Sequence, residues 1–519
     1  MSESDSDDST NDDEQTLARM GYVQELLREM SGFSNLAVSL SIICILAGGI
    51  TSFHLGICGV GGAAIGIGWP LLALFSLTVA ATMAQVASAF PTAGGLYHWA
   101  AILGGRGWGW ATGWFNTLGL VTILAAINVG TYLFCLGSLG RHIGFDPHTW
   151  HPAELFYLQL GCVAAITFSQ ALLNHFGIRL TSRLLDFSGY WILLVSLALT
   201  VALLVYASEY RWPRLAEFRN FSGEAGRDVW PRTENVAWLF LLGLLLPAYT
   251  ITGFDASAHT AEETREAAVN VPRGIVRSVL ISGLAGWVML SAAVLAAPDL
   301  AAAASQGDRA FVSIVEAVVP GRLALPLYLA IALAQYLCGL ATVTSASRMV
   351  YAFARDGGLP GSKLLCQVHA VYRTPAPAIW AVSLAAVLFT LYTPVYATIT
   401  VACTLFLYVS YALPAALGFF AYGRTWTHMG PWQLGIWYRP LACVSAAGCG
   451  LLIVIGMQPP NEKAVYTLGA AVVLLLVAWR VSVGRTFKGP PGGRRGGGEE
   501  GRRGVKTWSR FLCLRFRLP

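Results

Sequence analysis

Asp255 is the residue whose chemistry asks most of its surroundings. Of the 28 acidic residues it is the one that falls well inside an apolar stretch. A carboxylate at the centre of a bilayer costs roughly 2.5–3.5 kcal/mol on insertion scales, so it needs a cationic substrate group, a proton or a polar cluster as partner. It sits in PAYTITGFDAS, with Pro247 and Gly253 interrupting the helical pattern. A second interruption, Ala47-Gly48-Gly49, lies inside IICILAGGITSF. Glycine weakens a helix interior by about 1 kcal/mol against alanine and lets a ligand approach the backbone. An unpaired helix N-terminus beside such a break holds an anionic group. The pair therefore suits a zwitterion: a carboxylate at the N–H groups of Ala47, Gly48 and Gly49, and an ammonium at the carbonyls from Tyr249 through Thr250, Ile251 and Thr252, with Gly253, Phe254 and Asp255 beside them. Two plainer readings stand next to this one. Gly-Gly packs two membrane helices closely, as small residues do, and Asp255 near a helix end pairs locally.

Further along, Thr344, Ser345 and Ser347 offer hydroxyls which, with Asp255, could coordinate a hard cation such as Na⁺; equally, such hydroxyls bond back to the preceding helical turn. Glu262, Glu263 and Glu266 follow Asp255 closely and could pair with Arg348 or Arg355 as an inner gate, or lie in a solvated charged loop. Val271-Pro272 would interrupt any helix there. The four lysines, Lys363, Lys463, Lys488 and Lys506, all fall outside apolar stretches, so an intramembrane lysine is not the proton carrier. HExxH, GxSxG and GxxxxGK[ST] do not occur, and no catalytic residue is assigned. His148 and His151 have no acidic or cysteine company, and the ten cysteines keep no metal or disulfide spacing. No metal, cofactor or nucleic-acid partner is expected.

The elements that must position these residues are membrane helices. Charged residues make up 12% of the 519, against roughly 25% in soluble domains, and hydrophobic ones 55%. Apolar runs at 34–58, 63–89, 108–137, 154–174, 187–208, 236–258, 274–297, 322–353, 376–393, 395–421, 437–456 and 463–483 give about twelve transmembrane helices. Continuous runs of this length exclude a β-barrel. The two interruptions fall in the first and sixth spans, as a repeat of five plus five helices broken at matching positions requires. The chain divides into an acidic tail with an amphipathic surface helix (1–33, the helix over 17–30), a first repeat (34–208), a second repeat (236–421), two further spans (437–483) and a basic, Gly- and Arg-rich tail (484–519). Loop arginines favour both termini in the cytoplasm. Arg211, Arg214, Arg219, Arg227 and Arg232 in one outer loop count against that orientation, whereas the eleven basic residues from Arg480 onward count for it.

Several stretches together resemble the amino acid–polyamine–organocation superfamily, and within it the amino acid/choline transporter branch. They are LARMGYVQELLREMSGFSNLAVSLSII near the N-terminus, SAFPTAGGLYHWA (88–100), GWFN (113–116), GFDASAHTAEETREAAVNVPRGI (253–275), SRMVYAFARDGGLPGS (347–362) and GPWQLGIWYRP (430–440). The resemblance covers roughly 17–483. It implies an all-α polytopic fold with a five-plus-five inverted-repeat core and two extra helices. It also implies transport of amino acids, 4-aminobutyrate, choline or polyamines, by proton-linked uptake or by exchange, in the plasma membrane. Two positions depart from the pattern: Gln85 stands where the branch commonly has glutamate, and Ala47 where superfamily members often have glycine. A non-transporting nutrient receptor on the same fold is the alternative.

Overall fold

The computed structural model describes residues 12–140, 144–145, 149–223, 229–393 and 395–491. The start of the acidic tail, His148, and the basic tail from residue 492 lie outside the described residues. Among the described residues ten helices are long and apolar enough to cross a membrane, and the shorter apolar helices Val236–Thr250 and Ala376–Tyr392 complete a set of twelve spans. In hydrocarbon every backbone N–H and C=O must find a partner, which is why the apolar runs become helices. No strand occurs among the described residues. The protein is an integral, multi-pass membrane protein.

The spans run as follows. The first is Gly32–Ile42, a π-turn Ile45–Gly49, then Phe53–Val60. The second to fifth are Ala64–Ala89, Arg106–Leu139, Pro152–His175 and Ile178–Tyr206. The sixth is Val236–Thr250, then the short turn Ala256–His259. The seventh to tenth are Ala267–Ala296, Gly321–Arg355, Ala376–Tyr392 and Tyr396–Ala421; Gly435–Gly456 and Glu462–Thr486 close the set. The first, third and tenth spans bury most of their surface, while the fourth and twelfth leave apolar faces outward. Leu194, Leu197 and Val201 of the fifth span are exposed in the same way, as lipid contact requires. Short helices between the spans include Leu96–Gly104 on the face that carries the termini, and Leu300–Ser305 and Ala310–Val318 on the opposite face.

Three expectations are corrected here. Residues 17–30 do not form a surface helix. A helix covers 12–19, and 22–29 run irregularly beneath the spans with Leu17, Tyr22, Leu26 and Met30 buried, because the apolar side chains find protein rather than lipid. Met30 donates its N–H to the Glu263 carbonyl (2.8 Å), and Arg265 donates back to the Met30 carbonyl (3.0 Å). Pro272 does not break the seventh span but sits inside Ala267–Ala296. The carbonyl that a proline in a helix orphans is that of residue i−4, and the Ala268 carbonyl instead accepts from Ser88 Oγ (2.8 Å). The fifth span begins at Ile178 rather than at 187.

Candidate functional site

The two interruptions meet. A Cβ on Gly48 would lie 3.0 Å from the Thr250 Cα, and one on Gly253 2.4 Å from Ile42 Cγ2. Gly253 holds φ at +84°, a conformation glycine adopts freely and other residues rarely. Backbone groups released by the breaks are taken up by side chains. The Leu46 carbonyl accepts from Gln335 Nε2 (3.0 Å), and the Phe254 carbonyl from Ser39 Oγ (2.9 Å). Ser39 Oγ also accepts the Ser257 N–H (2.9 Å). Asn35 Nδ2 donates to the Ser257 carbonyl, Thr260 and Thr264. The opening helix of the first span and the far part of the sixth are thereby one bonded unit.

Asp255 is fully buried and held from three elements. Oδ1 accepts from the Tyr411 hydroxyl of the tenth span (2.7 Å). Oδ2 accepts from Asn116 Nδ2 of the third span (3.0 Å) and faces His259 Nε2 at 3.2 Å. Tyr411 also accepts from the Gly253 N–H (3.0 Å) and from Thr252 Oγ1 (3.3 Å), so one phenol fixes both the break and the carboxylate. Ile251 and Phe254 are buried beside them, the Phe254 ring 5.0 Å from that of Tyr411. Tyr249 packs edge-on against Tyr396, and Tyr396 bonds Thr51, whose hydroxyl donates to the Ala47 carbonyl (2.7 Å). Above these residues a pocket lined by Ile50, Thr51, Phe134, Asp308, Arg309 and Tyr396 leads to the face opposite the termini. Gly49 faces Leu290 and Met289 of the seventh span.

The face bearing the termini is closed. Arg355 makes a two-pronged bond to Glu262 (2.8 and 2.9 Å), and Arg348 one to Glu263 (2.9 and 3.1 Å). Glu262, Glu263 and Arg348 are fully buried. Glu266 stands apart: it is exposed, holds φ at +49°, and gives its backbone N–H to Asp13 (2.7 Å). It is an N-cap of the seventh span rather than a member of the ion pairs. Beneath the pairs, Tyr22 lies under the Arg355 guanidinium (3.9 Å to the ring centroid) and donates to Asp356 (2.7 Å), which also accepts from Tyr97 (2.9 Å). Burial raises the Asp356 carboxyl above the ordinary aspartate range, against the pull of Arg355 and the two hydroxyls. Arg28 reaches the carbonyls of Ala261 and Thr264.

The hydroxyls of the eighth span are not gathered around Asp255. Thr344 donates to Asn174 Oδ1 (2.7 Å) and to the Leu340 carbonyl (3.0 Å), and Ser347 donates to the Thr344 carbonyl and receives Arg348 Nη1. Ser345 Oγ is buried without a partner. Hydroxyls turned back onto their own helix are occupied. Gln85 joins the second span to the loop before the eleventh, its Oε1 accepting the Leu434 N–H (2.8 Å). The residues that sequence reasoning passed over are His259, Asn116 and Tyr411. His259 carried a signal, since it stands four residues after Asp255, on the same helical face; Asn116 and Tyr411 carried none beyond being polar in an apolar run.

Broken first and sixth spans facing each other, with a buried carboxylate and paired charges on one side, are set on a chain whose relatives agree with one another. Amino-acid permease BAT1 of Arabidopsis thaliana is 32% identical over 91% of this chain and 95% of its own. The homologue in Oryza sativa subsp. japonica is 31% identical over 91% and 94%. A GABA-specific permease of Saccharomyces cerevisiae is 28% identical over 87% and 79%. Residues 30–479 match the amino acid permease family, and the chain belongs to that family.

Proposed function

We propose that this protein is a secondary carrier that moves amino acids or related amines across the plasma membrane by alternating access, linked to H⁺ in preference to Na⁺, or by exchange. The observation that carries the reading is the meeting of the two breaks at Gly48 and Thr250 beside the buried Asp255. The N–H groups of Ala47 and Gly48 are held by the Cys44 carbonyl (2.9 Å each), so the carboxylate of a zwitterion bound there has to displace that acceptor, while its ammonium would face the carbonyls on the sixth-span side, with no fixed lysine or arginine needed. Sealing on one face by Glu262–Arg355 and Glu263–Arg348, with a pocket reaching towards Tyr396 from the other, supports a cycle in which the faces open in turn. In this reading the face with both termini is cytoplasmic and the ion pairs are the inner gate. The relatives' names make amino acids, 4-aminobutyrate among them, the substrates to try first.

The test is counterflow. Purified protein in liposomes loaded with one unlabelled amino acid, or with 4-aminobutyrate, choline or a polyamine, should take up the labelled compound faster than empty liposomes for at least one member of the panel. Stabilisation of the detergent-solubilised protein by a compound that is never exchanged would instead favour a receptor on the same fold.

A further inference from the structure

His259 makes two contacts that together fix a proton count. Its Nδ1 lies 3.0 Å from the Ala93 carbonyl oxygen, and its Nε2 lies 3.2 Å from Asp255 Oδ2. A carbonyl oxygen only accepts, so Nδ1 carries a hydrogen. The second contact then needs a further proton, on Nε2 or on Oδ2, because an imidazole lone pair facing a carboxylate oxygen is repulsive. Both side chains are fully buried, and an unshared charge at such a site is expensive. The side chains that bond the pair, Tyr411 from the tenth span and Asn116 from the third, are uncharged. The loop after the second span supplies the Ala93 carbonyl and, at Gly95, packs so close to the ring that a Cβ there would lie 3.0 Å from Cε1.

The bonds continue to the ion pairs. The Ala93 N–H donates to Glu262 Oε1 (3.1 Å), and Glu262 holds Arg355. One residue therefore links the ring of His259 to the carboxylate that seals the face with the termini. We infer that Asp255 and His259 together hold the single proton coupled to transport, and that Ala93 transmits its presence to the Glu262–Arg355 pair. This rests on the carrier reading above. With the proton in place the imidazole stays between Oδ2 and Ala93, and Glu262 keeps its backbone donor. When the proton leaves towards the side carrying the termini, the ring and carboxylate repel, His259 shifts, and Ala93 releases Glu262, which loosens the seal. His259 is here a positioning residue for the gate as well as half of the proton site.

The experiment uses the full chain in liposomes with two readouts: counterflow, which needs no ion gradient, and accumulation driven by an inside-alkaline pH gradient. Wild type is expected to show both, with a pH-sensitive dye inside the liposomes recording about one proton per substrate. His259→Gln keeps an amide donor for Asp255 but has no titratable nitrogen. It is expected to lower counterflow by less than about fivefold, to abolish the pH-driven overshoot, and to flatten the pH profile of exchange. Retained overshoot in His259→Gln overturns the inference. So does a wild type that exchanges substrate but accumulates it only with a Na⁺ gradient, or whose dye records no proton movement. If His259→Gln is not folded, the same two readouts are taken on His259→Asn, where a retained overshoot again overturns the inference and its loss with exchange retained supports it. A wild type without counterflow for any compound defeats the carrier reading, a separate outcome.

Discussion

Arg348 and Glu263 offer the sharpest perturbation of the seal. Both side chains have no solvent exposure, and they share two hydrogen bonds of 2.9 and 3.1 Å, with a third from Arg348 to Ser347 at 3.1 Å. Removing one member of such a buried pair leaves an uncompensated charge and costs roughly 3–5 kcal/mol, whereas replacing both by apolar or neutral groups of similar volume is close to neutral. The charge left behind is relieved in any state that brings water to it. Arg348→Met should therefore favour opening, or unfolding, by a factor of roughly one hundred to a few thousand, at about 1.4 kcal/mol per tenfold. Glu263→Gln should act similarly. The assays are thermal unfolding in detergent and amide hydrogen exchange of residues 257–266, the segment that carries Glu263 and bonds to Asn35 and Met30. Each single variant should melt several degrees lower and exchange faster there, and the double variant should recover most of the loss. A double variant whose loss equals the sum of the two singles would refute the reasoning, because it would mean that neither charge depends on the other.

Other consequences follow from the same contacts. Gly48→Val places its Cβ 3.0 Å from the Thr250 Cα and 3.0 Å from its hydroxyl; neither backbone can yield cheaply, so uptake should fall at least tenfold while the amount of protein in the membrane stays near normal. Ser88→Ala removes the donor that serves the carbonyl orphaned by Pro272, and with it the acceptor of the Trp432 N–H, at a cost of about 1–3 kcal/mol. That loss should shrink in a Pro272→Ala background, where the helix supplies its own donor, and melting curves of the four proteins read the difference. For Asp356 the sign runs one way. Its folded pKa is raised above the unfolded value by burial, so the folded state binds the proton more tightly; that stabilisation is present at acid pH and is lost as pH rises through the raised value. Asp356→Asn keeps an acceptor for Tyr22 and Tyr97 and should remove this part of the pH dependence of melting.

How much of this was legible in the sequence depends on how far each feature reaches along the chain. The spans are legible because hydropathy is a property of contiguous residues, and their ends fall near the expected positions apart from the starts of the fifth and seventh spans, at Ile178 and Ala267. Pro272 reads as a stop only until Ser88, remote in sequence, supplies the missing bond to Ala268. Residues 17–30 read as a surface helix because amphipathicity does not say whether the apolar side meets lipid or protein; here Leu17, Leu26 and Met30 meet protein. The interruptions at Ala47–Gly49 and Thr250–Asp255 are local consequences of glycine and of the residues around it, and so they too can be read. The partners of Asp255 cannot, since Asn116 and Tyr411 stand 139 and 156 residues away and nothing in the order of residues says which face of a helix turns inward.

The same distinction separates two sets of polar residues. Thr344 and Ser347 lie on a continuous helix whose own carbonyls are within reach, and they bond there; a hydroxyl with a local acceptor has little reason to wait for an ion. Asp255 lies just past a break, where backbone groups point away from any helical partner, and it draws Tyr411, Asn116 and His259 from three separate segments. A buried carboxylate satisfied by donors on different elements is sensitive to their relative position, since a shift of either neighbouring span would strip away a bond worth about 1.5–3 kcal/mol for a charged acceptor. That sensitivity, rather than the charge alone, makes Asp255 suited to report movement between the first and sixth spans on one side and the third and tenth on the other. It also predicts that Tyr411→Phe, which removes the 2.7 Å donor and the acceptor of the Gly253 N–H while keeping the ring, will slow counterflow at saturating substrate by roughly tenfold or more and leave the span helices intact by circular dichroism. A Tyr411→Phe protein exchanging at the wild-type rate would show that the carboxylate does not need the tenth span, and would remove the link between movement and charge.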